Sequence, residues 1–273
     1  MINLKNPRKP WEELVQAQDD YLKVLYKKGK LPINFYEVAL DVDNPESQMT
    51  IREVLGFLQE EIAESEDVLH KLYNYFKSNE EKHVILETLQ EYNEEVADVM
   101  IFFLEVFNML GLRDSDIRMH TEVLLNGLPN FDPTVARMPD VLNMAFAIGN
   151  QAVSIFLTAD HPMWTVNSYR ATDYAAEENY LTHGARVLGH DNFEYHKKDI
   201  YSVYLNLGMA TNQLKNKPWK SSVTPTNMEL FHNKIVTAFL EFIACLSYLG
   251  FRETQLARMI LHKIEINHKR LTS

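Results

Sequence analysis

A chain of 273 residues, 46% of them hydrophobic, can bury a sizeable core as one large domain or two small ones. Only 9 glycines and 10 prolines interrupt it, which favours long helices over a many-turned sheet protein. The formal charge of −11, from 27 Lys+Arg against 38 Asp+Glu, argues against general affinity for nucleic acid or an anionic membrane, but leaves room for a local basic site for a small anion.

In chain order, Pro10-Trp11-Glu12-Glu13 is a helix start, with proline near the first turn and acids after it. The helix is expected to run to about Lys28, stopped by Gly29 and Pro32. Residues 30–48 read as a connecting loop, broken by Pro32 and Pro45. Ile51, Val54, Leu55, Leu58, Ile62, Leu69 and Leu72 then mark an amphipathic helix of about 25 residues. A third helix, from about Glu80 to Leu110, turns strongly apolar after Asp98 and is capped by Gly111. Between Pro133 and Pro225 lie roughly three further helices, including Thr165–Leu188 and Asn192–Leu214, with no obvious chemical constellation. Cys245, the single cysteine, lies in an apolar run and reads as a buried inert thiol. Met1-Ile2-Asn3-Leu4-Lys5 lacks a signal-peptide apolar region, and no run of about 18 apolar residues would span a membrane. A cytoplasmic protein is the expectation.

Two acidic turns dominate the first half. Glu61 and Glu64 share one face of the second helix, and Glu95 and Asp98 share one face of the third. The polar break Lys77-Ser78-Asn79-Glu80 separates them. Fifteen residues lead from Glu64 to Asn79 and sixteen from Asn79 to Glu95, so an antiparallel hairpin brings the four acids level. Facing carboxylates repel unless cations sit among them. Glu60, Glu66 and Glu94 read more simply as a solvated acidic face.

Leu110-Gly111-Leu112-Arg113 recurs as Leu249-Gly250-Phe251-Arg252, an offset of 139 residues, each copy following a long apolar helix. The matching flanks favour an internal duplication. At that offset Glu95 falls on Lys234 and Asp98 on Thr237, so the second half, residues 131–273, reads as a degenerate partner of a first half, residues 1–130. In the last helix Lys263, Asn267 and Arg270 follow i, i+4 and i+7, two cations and an amide on one face, suited to phosphate oxygens. Glu80-Glu81-Lys82-His83 and Glu229-Leu230-Phe231-His232 have the ExxH spacing of di-iron bundles but lack partner glutamates at the same level, and their histidines are expected at the surface.

Glu60-Glu61-Ile62-Ala63-Glu64, Glu95-Val96-Ala97-Asp98 and the segment from Lys263 to Arg270 together resemble the EExxE, ExxD and KxxxNxxR elements of the all-α nucleoside triphosphate pyrophosphohydrolases, the superfamily of MazG-like enzymes and dimeric dUTPases. The resemblance implies an all-α bundle and hydrolysis of a (deoxy)nucleoside triphosphate, here a pyrimidine dNTP such as dUTP or dCTP, to monophosphate and pyrophosphate. It implies two or three Mg2+ ions, with Mn2+ able to substitute, on Glu61, Glu64, Glu95 and Asp98. Glu60 or Glu61 would accept the proton of the attacking water, and Lys263, Asn267 and Arg270 would hold phosphates. Length and two-part plan are similar to the dimeric dUTPases, so one chain would be a fused pseudo-dimer, with a homodimer expected. Gln18-Asp19-Asp20-Tyr21-Leu22 resembles the early element whose glutamine reads the pyrimidine; read on its own, Gln18 is a solvent-facing glutamine. The tryptophan-rich segment of those dUTPases is replaced by Tyr73, Tyr75 and Phe76, which leaves uracil specificity open. The alternative is a non-catalytic helical interaction or assembly protein derived from this fold.

Overall fold

The computed structural model describes residues 10–125, 134, 135, 138, 140–157 and 190–272, with the backbone alone for 125, 150–157, 190–192, 194, 195 and 272. Among these residues the chain is all-helical: α1 (Pro10–Lys27), α2 (Pro45–Ser78), α3 (Lys82–Leu110), α4 (Asp114–Leu125), α5 (Val141–Leu157), α6 (His190–Thr211), α7 (Met228–Tyr248) and α8 (Glu253–Thr272). The helix expected over Thr165–Leu188 lies outside the described residues.

Helix α2 begins at Pro45, six residues before the first apolar marker Ile51. Asn44 caps it, its side chain accepting from the backbone N–H groups of Glu46 and Ser47. Proline in the first turn needs no N–H partner, so Pro45 starts a helix here rather than breaking the chain, and the expected loop is shorter. At the other end Asn79 takes a left-handed conformation (φ 55°) and its N–H closes on Phe76. The chain then turns back into α3, which packs along α2. Helices α6 and α7 pack against each other in the same way.

Both copies of the repeated glycine motif adopt one geometry. Gly111 (φ 65°) and Gly250 (φ 83°) are left-handed. Leu112 N–H donates to Phe107 carbonyl and Phe251 N–H to Leu246 carbonyl, the six-residue closure of a Schellman cap.

The core joins segments far apart in sequence. Trp11 of α1, Phe103 and Phe107 of α3, and Phe239 and Phe242 of α7 form an aromatic group with ring centroids 5.3–5.9 Å apart for five of its pairs. Helix α7 is long and apolar enough by composition to cross a membrane, and Phe231, Ile235, Val236, Phe239 and Ile243 on it are all 0% exposed within the core. Cys245 is buried there too, its thiol held well above its ordinary pKa by burial.

Polar groups fasten the ends. Asp140 accepts the Trp11 N–H at 2.9 Å and caps α5 through the Leu142 N–H, so one buried carboxylate serves two helix starts. Arg52 of α2 donates to the carbonyls of Leu214 and Asn216, and the buried Gln48 bonds the Asn216 N–H at 2.7 Å, which ties the segment after α6 to the start of α2. Helix α8 lies against both α1 and α3, and this docking carries the last helix to the acidic turns.

Phe239 touches three of the other four rings, so Phe239→Ala is expected to cost about 3–5 kcal/mol, read as a lowered urea midpoint with helical circular dichroism retained below it.

Candidate metal centre

The α2–α3 hairpin brings the two acidic turns together as their spacing requires. Glu61, Glu95 and Asp98 each offer an oxygen, and these atoms lie within 4.8 Å of one another. All three residues are half-buried, while Glu64 and Glu60 are exposed on the flank of the turn. Glu64 is near enough for its charge to act on Glu61 and Glu95, yet its carboxylate is outside the triad.

Lys263 comes in from α8. Its Nζ is 2.6 Å from Asp98 Oδ2 and 3.9 Å from Glu94 Oε2, and the ammonium and Asp98 side chains are only 15% and 20% exposed. Arg270, two turns further on, is exposed but its charge reaches Asp98. Asn267 is half-buried between them in sequence. The acids of α2 and α3 and the basic face of α8 therefore meet within one chain.

One ammonium does not neutralise this many carboxylates. Burial raises Glu61 from its ordinary 4.5 to about 7, with the charges of Asp98, Glu64 and Glu95 adding to the effect and Lys263 opposing it. Burial also raises Glu95 and Asp98, again against Lys263. A half-buried cluster of carboxylate oxygens has the donor chemistry that suits a hard divalent cation.

Several positions differ from their sequence reading. Gln18 is not solvent-facing: it is 0% exposed, on the Leu14–Gln18–Leu22 stripe of α1, and both its amide atoms lack a hydrogen-bond partner. Glu66 is not a solvated acid, since its Oε1 lies 2.6 Å from His196 Nε2 in a contact where His196 is 1% exposed. His232, expected at the surface, is half-buried beside His120, with Nε2 unpartnered and the imidazole pushed down to about 4 by burial. His83 is at the surface as its position implied.

The second hairpin holds a polar network that its sequence did not announce. Glu241 accepts from Ser202 Oγ and Asn206 Nδ2, both at 2.8 Å, and Lys234 Nζ donates to Asn206 Oδ1 at 2.9 Å. Lys234 stands where the repeat aligns Glu95, so this hairpin pairs its polar groups internally and has no acidic triad among the described residues. One further residue near the first site escaped notice. Glu105 is seven residues after Asp98 on the same face of α3, a spacing that could have marked it.

Comparison with protein-family models, with curated proteins and with solved structures finds no match for this chain.

Because the folded chain holds Glu61 above its unfolded pKa, its contribution to stability is present below about pH 4.5 and is lost as pH rises through about 7. Glu61→Gln is therefore expected to melt at a higher temperature than the parent chain at pH 8 without divalent cations, with the two converging near pH 4. Added Mg2+ is expected to raise the melting temperature of the parent chain and to leave the variant nearly unmoved, as differential scanning calorimetry can check.

Proposed function

We propose that the chain is a metal-dependent pyrophosphohydrolase that cleaves a pyrimidine deoxynucleoside triphosphate to the monophosphate and pyrophosphate. The observation that carries this reading is the convergence of Glu61, Glu95 and Asp98 oxygens within 4.8 Å, with Lys263 of α8 on Asp98 at 2.6 Å. Carboxylates alone are common on helices; carboxylates joined by a cation brought in from the far end of the chain are what a triphosphate site needs. The resemblance of the three sequence elements to the all-α pyrophosphohydrolases supports the same assignment.

Glu61, Glu95 and Asp98, with Glu64 at the margin, would hold Mg2+ or Mn2+. Bound there, such ions would supply charge neutralisation for the triphosphate and its pyrophosphate leaving group and would activate a water nucleophile. With Asp98 engaged in that way, Lys263 is left free to face phosphate oxygens, and Arg270 and Asn267 extend the same face of α8. Glu61 or the exposed Glu60 beside it accepts the proton of the attacking water. Gln18, buried with two unpaired amide atoms one turn from Tyr21, is suited to hydrogen-bond a base.

The shared Schellman geometry at Gly111 and Gly250, and the paired hairpins α2–α3 and α6–α7, support a duplicated origin in which the second half lost its acids and kept the phosphate-binding helix. A cytoplasmic homodimer is part of the same proposal. A second reading, a binding protein without turnover, draws on Tyr201, Leu205 and Met209 of α6, an i, i+4, i+8 apolar stripe that is 68%, 46% and 42% exposed.

With Mg2+, the chain is expected to release pyrophosphate from dUTP or dCTP, and Glu61→Gln or Asp98→Asn to lower kcat by about a hundredfold or more with circular dichroism unchanged. Arg270→Ala is expected to raise KM by about tenfold. Absence of turnover across all common NTPs and dNTPs would leave the binding-protein reading in its place.

A further inference from the structure

A half-buried stripe continues along α3 beyond the carboxylate triad. Glu95, Asp98, Phe102 and Glu105 follow i, i+3, i+7 and i+10 and are all partly exposed, whereas Val96, Val99, Met100, Phe103 and Val106 are buried. The Phe102 ring lies 6.1 Å from that of Phe57, which is 41% exposed one turn before Glu61 on α2. An apolar step with one open face thus separates the triad from Glu105. Tyr21 of α1 stands within reach of both ends: its hydroxyl is raised first by burial, then by the charge of Glu105, then by that of Asp98. One turn earlier on α1 is Gln18, fully buried and unpaired.

Glu105 is itself unusual. Burial pushes its carboxyl up to about 7, and no cation or hydrogen-bond donor among the described residues offsets that burial. A half-buried carboxyl whose charge is disfavoured by its surroundings can gain from a ligand that pairs with it. In its neutral form the group presents one donor beside one acceptor. The edge of a pyrimidine at N3 and position 4 has the complementary arrangement, acceptor beside donor in a 4-amino ring and donor beside acceptor in a 4-oxo ring.

We propose that Glu105 is a specificity-determining residue that pairs with the N3/position-4 edge of the substrate's pyrimidine ring, the ring lying over the Phe57–Phe102 step. The proposal rests on the pyrophosphohydrolase reading for the seat of the triphosphate. Glu105→Gln keeps a donor beside an acceptor and is expected to preserve the pairing; Glu105→Leu removes it.

Calorimetric binding of non-hydrolysable α,β-imido dUTP and dCTP, and of their N3-methyl counterparts, to the full chain with Mg2+ separates the two layers. The parent chain is expected to bind its preferred pyrimidine about ten- to a hundredfold tighter than the N3-methyl form, a preference that Glu105→Gln retains and Glu105→Leu abolishes. Equal binding of methylated and unmethylated forms by the parent chain, or an undiminished preference in a folded Glu105→Leu variant, overturns the role of Glu105 even if pyrophosphate is released. Binding with the expected preference but no pyrophosphate release upholds Glu105 as the base reader and removes the hydrolase reading. Failure of the parent chain to bind any of the four nucleotides overturns both.

Discussion

Mutual repulsion among the carboxylates of Glu61, Glu95 and Asp98 is the constraint around which this fold is arranged. Oxygens within 4.8 Å of one another would drive two independent helices apart. Here the helices cannot separate, because α2 and α3 are joined by the tight Asn79 turn and packed along their length. The rear of α3 is anchored in the ring group of Trp11, Phe103, Phe107, Phe239 and Phe242. Burial, with the carboxylate repulsion added to it at Glu61 and Glu95, raises their pKa values and leaves a demand for cations, of which Lys263 meets only part.

That the acids would meet was legible in the sequence, because helix register is arithmetic: a break at Asn79 and near-equal arms leave little freedom in an antiparallel hairpin. The all-α class, the Gly111 cap and the burial of Cys245 were legible for similarly local reasons. Pro45 was misread because proline both ends and begins helices, and the deciding feature was Asn44, whose side chain caps the turn. The approach of Lys263 to Asp98 depends on how α8 docks across α1 and α3, which no local pattern encodes; the face shared by Lys263, Asn267 and Arg270 indicated only that such a docking would be useful.

What stayed hidden is instructive in the opposite direction. Gln18 sits on the apolar stripe between Leu14 and Leu22, and the ordinary preference of glutamine for solvent outweighed that placement. Glu66 looked like one more acid on a charged helix, because its partner His196 lies 130 residues away on α6. The Glu241 network was invisible for the same reason: Ser202, Asn206 and Lys234 are unremarkable singly and become a closed set only when α6 lies on α7. In each case the burial of a polar group was decided by tertiary contact and not by its neighbours in sequence.

The pairing of Asp98 with Lys263 also bears on how the molecule assembles. The two residues are 165 positions apart, and α3 packs against α2 and α8 and meets α7 through its phenylalanine rings. Closing so long a loop costs more chain entropy than forming the local α2–α3 hairpin, so the hairpin is expected to form before the ammonium reaches it. A partly folded chain would therefore display an open acidic hairpin without Lys263 beside it. The charge of the hairpin is therefore offset only in the step that docks α8 on α1 and α3, so the last helix to be made is also the one that relieves the first half of its electrostatic load.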